Sequence, residues 1–478
     1  MQQPLEKIEK IEQSEKSEKP DFGSKLHFIG IGGIGMSAIA KIMLKMGFEI
    51  SGSDVCDSEL LAVLRDMGAD IYIGHNACNL PSDADAVVYS NAISRQNPEF
   101  VKAGDCGIPL LKRAEALDFL MKHYCSIGVA GSHGKTTTSG MISLLLERCG
   151  LDPTIVIGGT LPQIGSNAKA GNGDYLVAEV DESDGTLLLL HPAIAVVTNI
   201  EEDHMDFYHT LEEIRRTFCR YVSLLPENGF AVVNTDNAEI VSMMSECPST
   251  YITYSLRDKN ADYYAENIAY RCCGSTADVY VRSELRGKIA LSVPGEHNVS
   301  NALAALAVGM RIGIDFESAV SALSAFTGTG RRFELLGNIG GVTVIDDYAH
   351  HPTEIRVTLA AARKAHEGRL ISVFQPHRYS RTQGMKKEFG ESFFSSDMTI
   401  INEIYEAFET PIEGVSARLI VDEAKKSGYQ PITFAESQDE IVEMLLHEAQ
   451  SGDMVLVMGA GNIRSVGEKL VRELKNKN

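Results

Sequence analysis

The sequence has little of what marks a secreted, zinc-binding or membrane-spanning protein. Its nine cysteines are scattered and contain no C-x-x-C pair, which fits neither a disulfide framework nor a zinc knuckle. No stretch reaches the roughly 18 apolar residues of a membrane span, and the N-terminus lacks the basic-then-apolar order of a signal peptide. We therefore expect a cytoplasmic protein with reduced, structural thiols and no membrane insertion.

Positive charge is also scarce. The chain carries 44 Lys and Arg residues against 65 Asp and Glu residues, which gives a net charge of −21. Such a balance repels the phosphate backbones of nucleic acids over long range. We expect no nucleic-acid partner, and any phosphate ligand has to be held by local positive features.

The length predicts several domains. At about 150 residues per domain, 478 residues correspond to roughly three domains, and the 44% of hydrophobic residues suffice for several cores. The start of the chain is rich in Glu, Lys and Ser and predicts a flexible charged extension. The predicted segments are the extension over 1–22, a first domain over 23–118, a central domain over 119–335 and a C-terminal domain over 336–478.

Short apolar runs alternate with helix-length amphipathic stretches from Lys25 onward, which is typical of β-α-β units on parallel sheets. This pattern starts three times, at residues 25–30, 125–138 and 341–347. It predicts an α/β fold with a Rossmann-like N-terminal domain, a central P-loop-type domain and a Rossmann-like C-terminal domain. Further predicted strands cover 48–54, 71–74, 86–90, 175–180, 193–199, 369–375, 398–402 and 454–461; predicted helices cover 36–46 and 211–225 and begin near Asn298 and at Pro352.

The first glycine loop is typical of a diphosphate site. Gly30, Gly32 and Gly35 satisfy G-x-G-x-x-G between a predicted strand and a predicted helix, so backbone amides and a helix N-terminus face the ligand. Asp54 ends the next predicted strand, where a dinucleotide enzyme binds a ribose hydroxyl. Two other interpretations of this loop stay open. The protein could be an NAD-dependent oxidoreductase, or the loop could be a tight turn that binds no ligand.

The second glycine loop runs from Gly131 to Thr136 and reads G-S-H-G-K-T. Its amides suit phosphates, Lys135 supplies a positive charge, and the Thr136 hydroxyl suits Mg²⁺. The loop departs from the full Walker pattern, since Val129 stands where the strict motif has glycine. We predict a nucleoside triphosphate here; a polar helix cap and a nucleotide-dependent switch without chemistry are the alternatives.

Polar residues follow several other predicted strands. In the central domain, Glu179 lies near the end of the strand 175–180 and His204 lies just past the strand 193–199. A carboxylate and an imidazole beside a triphosphate suit Mg²⁺; solvated acidic loops are the alternative. In the third domain, residues 346–354 follow one strand. Arg378 and Arg381 follow the next strand and predict a clamp for a carboxylate or a phosphate.

Taken together, these segments resemble the Mur ligases, the ATP-dependent amide-forming enzymes of peptidoglycan precursor synthesis. The resemblance lies with the members that add L-alanine to UDP-N-acetylmuramate, and it runs in order from about residue 25 to the C-terminus. The matching stretches are GIGGIGMSAIA (30–40), GSHGKTTT (131–138), AEVDESDG (178–185), TNIEEDHMD (198–206), GEHNVSNALAA (295–305), GTGRRFE (328–334), DDYAHHPTEI (346–355), FQPHRYSRT (374–382) and GAGNI (459–463).

The resemblance implies a role for each domain. The first domain would hold the UDP-sugar, the central domain ATP and Mg²⁺, and the third domain the amino acid. The implied UDP-sugar contacts are Gly32, Gly33, Ile34, Asp54, Ser90 and Asn91. The implied nucleotide contacts are Gly131, Ser132, His133, Gly134, Lys135, Thr136, Thr137, Asn298, Asn301, Arg332, Asp347 and Tyr348. Thr136, Glu179 and His204 would bind the metal, and Tyr348, His350, Arg378 and Arg381 would line the amino-acid end.

The implied reaction is an ATP-dependent ligation of an acid to an amino acid. L-alanine would be joined to the lactoyl carboxylate of UDP-N-acetylmuramate through an acyl phosphate, giving ADP and phosphate. The implied catalytic residues are Lys135, Glu179, His204, His350, Arg378 and Arg381. A related ligase that adds a peptide to the same sugar nucleotide is the nearest alternative. We expect a monomer or a weak homodimer.

Overall fold

The computed structural model describes residues 22–477 except 91, 206, 272, 273 and 408. The chain forms two compact units. The first unit contains the residues up to Glu266 together with Asp278–Lys288 and Ser300–Phe326. The second unit contains Asn267–Ala277, Ile289–Val299 and the residues from Thr327 onward. The extension predicted over 1–22 lies outside the described residues except for Phe22.

A five-stranded parallel sheet opens the first unit, with strand order β3-β2-β1-β4-β5. Its strands are β1 (Lys25–Ile29), β2 (Glu49–Asp54), β3 (Asp70–Ile73), β4 (Ala86–Tyr89) and β5 (Leu110–Lys112). The helices between and after them are α1 (Ile34–Lys45), α2 (Glu59–Asp66), α3 (Pro98–Cys106) and α4 (Arg113–Lys122). The glycine loop after β1 therefore stands at the carboxyl edge of the central strand, where ligands of open α/β sheets bind.

The second sheet has ten strands in the order β15-β14-β13-β12-β11-β10-β6-β9-β7-β8. Its strands are β6 (Cys125–Ala130), β7 (Thr154–Leu161), β8 (Ser166–Lys169), β9 (Tyr175–Glu179), β10 (Ile194–Val197), β11 (Phe230–Asn234), β12 (Tyr251–Ser255), β13 (Tyr263–Arg271), β14 (Gly274–Val281) and β15 (Glu284–Leu291). The strands from β12 to β7 in this order are parallel, and β8 is antiparallel to β7.

Five helices belong to this part of the chain: α5 (Lys135–Arg148), α6 (Leu211–Val222), α7 (Ala238–Glu246), α8 (Glu296–Arg311) and α9 (Phe316–Ser324). Because β6 lies between β9 and β10, the segments that follow these three strands meet at one edge of the sheet. This topology brings the second glycine loop together with the residues that follow Glu179 and Val197.

The third sheet lies in the second unit and has the order β16-β17-β21-β18-β19-β20. Its strands are β16 (Glu334–Ile339), β17 (Val342–Asp347), β18 (Leu370–Phe374), β19 (Met398–Ile401), β20 (Ile432–Phe434) and β21 (Met454–Met458). Only β16 is antiparallel to its neighbour. Its helices are α10 (Pro352–Ala365), α11 (Tyr379–Gly384), α12 (Lys386–Gly390), α13 (Arg418–Lys426), α14 (Gln438–Glu448) and α15 (Arg464–Lys477).

The predicted α/β architecture is confirmed, with small corrections at element ends. The helix expected from Met36 begins at Ile34, because the backbone turns helical directly after Gly33. The strand expected to reach Asn199 ends at Val197. The β7–β8 hairpin and the strands β11 to β15 did not appear among the predicted elements.

The thiol prediction is correct in part. Seven cysteines lie among the described residues and all are free, but Cys56, Cys78 and Cys106 are exposed and have no structural role in a core. Within the described ranges, no helix combines the length and the apolarity needed to cross a bilayer.

Candidate active site

The loop after β6 places Lys135 at the start of α5. Gly134 precedes it with a left-handed backbone, φ +81°, and a Cβ atom there would lie 2.9 Å from Asn301 Oδ1. Lys135 Nζ donates to the carbonyl oxygens of Gly131, at 2.5 Å, and Ser132, at 3.2 Å. The ammonium group therefore lies against the loop whose amides would face phosphates, next to Thr136 and Thr137 in the first turn of α5.

Glu182 is the charge partner of Lys135, and the sequence analysis did not single it out. Its side chain is 2% exposed, and its Oε1 accepts from Lys135 Nζ at 2.8 Å. Burial raises the pKa of Glu182, against the effect of Lys135. Burial alone would lower the pKa of Lys135, but Glu182 and Asp181 raise it above its usual value. The lysine is thus held as a cation inside the protein.

The segments after β6 and β10 are joined through Asn199. The His133 amide donates to Asn199 Oδ1 at 2.8 Å, and Asn199 Nδ2 donates to His133 O at 2.9 Å. His133 Nε2 also lies 3.5 Å from Glu201 Oε2. These contacts fix the middle of the glycine loop. Asn199 is the second residue after β10 and lies in the matching stretch 198–206, but the sequence analysis assigned it no role.

Glu179 and His204, two of the residues predicted to bind metal, contact different partners. Glu179 Oε2 accepts from the Gly158 amide at 2.8 Å, whereas His204 Nε2 lies 3.6 Å from Asp203 Oδ2 and 3.9 Å from Glu182 Oε1. In the part of the chain that the structure describes, no group of three or more His, Cys, Asp or Glu residues is arranged to hold a metal ion.

The donor set nevertheless fits a magnesium ion that arrives with a nucleotide. Mg²⁺ keeps several waters and needs only one or two protein carboxylates besides phosphate oxygens. The buried Glu182 Oε2 has no hydrogen-bond partner among the described residues, and Glu179 lies at the end of the neighbouring strand β9. This edge of the sheet therefore offers the one or two carboxylate groups that such an ion needs from the protein.

The first glycine loop closes on Asp54. The Gly32 amide donates to Asp54 Oδ2 at 2.8 Å, so this carboxylate shapes the loop itself. Gly33 is the N-cap of α1 and, having no side chain, makes no capping hydrogen bond to the first turn. Ile34 is the first helical residue, and its side chain is 52% exposed. Ser90 directly follows β4, while Asn91 lies outside the described residues.

A fully buried carboxylate, Glu99, lies beside this edge and was missed. It accepts from Ser53 Oγ at 2.5 Å, from Asn79 Nδ2 at 2.8 Å and from the Asn76 amide at 3.0 Å, and His27 Nε2 lies 3.2 Å away. Burial alone would raise its pKa, but the hydrogen bonds from His27, Ser53, Asn79 and Asn76 lower it to about 2. This network holds the end of β2, and hence Asp54, in place.

In the second unit, Asp347 ends β17 and is 5% exposed. It accepts from the amides of Phe333, at 2.7 Å, and Ala349, at 2.8 Å. Burial raises its pKa to about 6. Arg332 lies over the Tyr348 ring at 5.3 Å from the centroid. Asp347, Tyr348 and Arg332 are therefore neighbours, although Arg332 precedes β16 and Asp347 ends β17.

His350 and His377 lie together in the same unit, with ring centroids 5.7 Å apart. His350 Nδ1 lies 3.0 Å from Tyr348 O, so in the neutral ring Nδ1 carries the proton and Nε2 is the free acceptor. Burial, reinforced by His350 and Arg381, lowers the pKa of His377 to about 3. Arg378 has a left-handed backbone, φ +70°, and its amide donates to Tyr405 O at 2.9 Å.

The remaining predicted contacts divide between the two units. Asn301 lies in the first unit, close to Gly134. Asn298 lies in the second unit, where its Nδ2 donates to Pro294 O at 2.7 Å. The ligand contacts assigned to these residues stay predictions.

Comparisons with known proteins bear on these assignments. Sequence models of three domains match in order: "Mur ligase family, catalytic domain" over residues 25–125, "Mur ligase middle domain" over 129–309 and "Mur ligase, glutamate ligase domain" over 331–461. The UDP-N-acetylmuramate–L-alanine ligase of Pelotomaculum thermopropionicum is 48% identical over 94% of this chain and 97% of its own length. The enzyme of the same name from Desulforamulus reducens is 46% identical over 95% of this chain and 98% of its own length.

A solved structure gives the same result. The UDP-N-acetylmuramate–alanine ligase of Thermotoga maritima superposes with a TM-score of 0.81 and 28% identity, over 95% of this chain and all of that chain. The resemblance stated from the sequence motifs is confirmed by these matches. The chain belongs to the Mur ligase family.

Proposed function

We propose that this chain joins L-alanine to the lactoyl carboxylate of UDP-N-acetylmuramate with consumption of ATP. The observation that carries the proposal is the 48% identity over 94% of the chain to a relative named for this reaction. The geometry supports it, since the second glycine loop holds a buried cation, Lys135, beside strand-end carboxylates. The glycine loop after β1 offers a separate site for the diphosphate of the sugar nucleotide.

The reaction needs activation of the carboxylate, because a carboxylate does not condense with an amine in water. The lactoyl carboxylate oxygen attacks the γ-phosphorus of ATP, the bond to the β-phosphate oxygen breaks, and an acyl phosphate and ADP result. The alanine nitrogen then attacks the acyl carbon, phosphate leaves, and the amide forms with loss of one proton from nitrogen. The product is UDP-N-acetylmuramoyl-L-alanine.

Lys135 contributes by offsetting the charge that builds up between the carboxylate and the triphosphate. Phosphoryl transfer is largely a matter of positioning and charge stabilisation. Gly131, Ser132, His133, Gly134, Thr136 and Thr137 would bind the phosphates, with Asn298, Asn301, Arg332, Asp347 and Tyr348 as further nucleotide contacts. Thr136, Glu179 and His204 would hold Mg²⁺, which supplies additional positive charge to the phosphate oxygens when it is bound.

The amino-acid end is assigned to Tyr348, His350, Arg378 and Arg381. Two guanidinium groups suit the carboxylate of alanine, because each presents a planar fork of donors. His350 has Nε2 free as an acceptor, and it would take the proton that the amine loses. The UDP-sugar contacts would be Gly32, Gly33, Ile34, Asp54, Ser90 and Asn91.

The test is a phosphate-release assay with ATP, Mg²⁺, UDP-N-acetylmuramate and L-alanine, in which one component is omitted at a time. We expect release only in the complete mixture, together with a product whose mass equals both substrates joined less one water. Glycine, L-serine and a tripeptide replace alanine in parallel reactions, since excluding one small side-chain group is worth only about 1–3 kcal/mol. Release without any amino acid, or faster release with the tripeptide, would contradict the proposal.

A cytoplasmic location and a monomeric or weakly dimeric state belong to the same proposal. The location is inferred from the kind of substrates involved, and size-exclusion chromatography with light scattering tests the oligomeric state.

A further inference from the structure

Arg113 is the first residue of α4, and its guanidinium group lies against the glycine loop of the first sheet. A Cβ atom built on Gly35 would be 3.1 Å from Arg113 Nη1, 3.4 Å from its Cδ and 3.7 Å from its Cζ. A side chain at the third glycine of the G-x-G-x-x-G motif would therefore crowd this arginine, which would have to shift by a few tenths of an ångström. In dinucleotide folds that glycine instead allows close helix–strand packing.

The surroundings of Arg113 leave its donors available. Among the described residues its guanidinium makes no hydrogen bond, and its ion-pair contact is Asp181 Oδ2, at 3.9 Å from Nη2. Its side chain is 28% exposed. A cation in the first turn of a helix is also disfavoured by the helix dipole. An anionic ligand would therefore stabilise the guanidinium group of Arg113 more than the contacts within the chain do.

The same place has a second anion-attracting feature. Gly35 belongs to the first turn of α1, whose amides have no partners inside the helix, and the N-cap Gly33 offers no side-chain acceptor. The helix has 12 residues, and its start is held by Asn167 Nδ2, which donates to Ile34 O at 3.0 Å. The Arg113 guanidinium thus lies beside the first turn of α1, where the helix amides have no partners inside the helix, although the chain as a whole is strongly acidic.

We propose that Arg113 binds the diphosphate of the sugar nucleotide together with the start of α1. The inference rests on the proposed function and adds to it a residue that neither the motifs nor the resemblance assigns. The planar fork of the guanidinium suits two phosphate oxygens, and Asp181 holds the group beside the loop. Gly35 and Arg113 act as a pair, since a Cβ atom at position 35 would displace the guanidinium by a few tenths of an ångström.

The experiment measures binding of UDP and of uridine by calorimetry, with a non-hydrolysable ATP analogue present to occupy the triphosphate site. Arg113→Ala is expected to weaken UDP binding about 10- to 100-fold, the range for a hydrogen-bonded charged contact, and to leave uridine binding unchanged. Lys45→Ala is the matched control. It removes one positive charge from the last turn of α1, about 16 Å from the loop at 1.5 Å per residue, and should change neither affinity.

Gly35→Ala provides an independent arm. We expect it to weaken UDP binding in the parent chain but to add little to Arg113→Ala, because both changes remove the same contact. Thermal unfolding of each variant checks that the fold is intact. Equal loss of UDP and uridine affinity, or additive effects of the two substitutions, would overturn the inference.

Failure of this inference is distinguishable from failure of the proposed function. If the parent chain binds UDP and Arg113→Ala binds it equally well, only the role of Arg113 is wrong. If the parent chain does not bind UDP at all, the proposed sugar-nucleotide site is wrong.

Discussion

At the level of single residues, the buried Lys135–Glu182 pair is the clearest case of a charge placed for a ligand. A buried ion pair is weak evidence for stability, because the desolvation of both groups offsets their attraction. Here the cation also contacts two loop carbonyls, and one oxygen of its partner is left without a hydrogen bond. This arrangement suits a site that exchanges its internal contacts for phosphates and a metal ion.

Lys135→Ala is therefore expected to slow ADP formation strongly while leaving binding of UDP-N-acetylmuramate nearly unchanged. Loss of one such charge donor typically lowers the rate by about 10²–10³. Steady-state ADP release and calorimetry with the sugar nucleotide measure the two effects. Lys45→Ala serves again as the control, and substantial ADP release by Lys135→Ala would refute the assigned role.

We expect Glu99 to contribute to stability in acid, because its pKa is lowered in the folded protein. The pKa is lowered from 4.5 to about 2 in the folded state, which corresponds to about 3 kcal/mol. A lowered carboxyl pKa contributes stability that is present above the unfolded value of 4.5 and is lost as the pH falls from 4.5 towards 2. Glu99→Gln is expected to destabilise the protein by about this amount at pH 7, and the difference should shrink below pH 4.5.

Urea unfolding of both proteins across this pH range measures the effect. Glu59→Gln is the control, because Glu59 is exposed in the first turn of α2 and has no such network. A difference between Glu99→Gln and the parent that stays constant with pH would show that the ionised form is not what the network stabilises.

At the level of elements, α5 has left-handed glycines at both ends, and only one of them lies at the nucleotide loop. Gly134, φ +81°, precedes the helix, whereas Gly150, φ +78°, follows it with open space around its Cα. An alanine strains either position by roughly 1 kcal/mol, since L-residues disfavour this conformation. A Cβ atom at position 134 in addition approaches Asn301 Oδ1 to 2.9 Å.

Gly134→Ala and Gly150→Ala thus form a matched pair. Both should lower the midpoint of thermal unfolding, Gly134→Ala somewhat more because of the contact with Asn301, but only Gly134→Ala should raise the KM for ATP, by about tenfold or more. Kinetics and thermal unfolding of the two variants test this. An equal rise in KM for both would mean that helix stability, and not loop geometry, controls nucleotide binding.

At the level of the whole molecule, the net charge of −21 acts on stability more than on ligand choice. Repulsion among like charges opposes the compact state and is screened within about 10 Å at 0.1 M salt. Local positive groups such as Lys135 and Arg113 meet anionic ligands at much shorter range.

We expect the unfolding midpoint to rise by a few degrees between about 0.05 and about 0.5 M NaCl, because salt screens this repulsion. Choline chloride at equal ionic strength should have the same effect, which separates screening from specific sodium binding. A midpoint that does not change in either salt would show that the acidic residues are already balanced by local pairs.

The sequence by itself determined the three-fold β-α-β organisation, the two glycine loops and the family, because strand periodicity, glycine punctuation and motif order are local properties of the chain. The tertiary structure alone decided the partners of those motifs. Glu182 against Lys135, Glu99 behind Asp54 and Arg113 against Gly35 are 47, 45 and 78 residues apart in the chain. Their proximity depends on which strands lie side by side, and side-chain charge and burial follow from that packing and not from the local pattern.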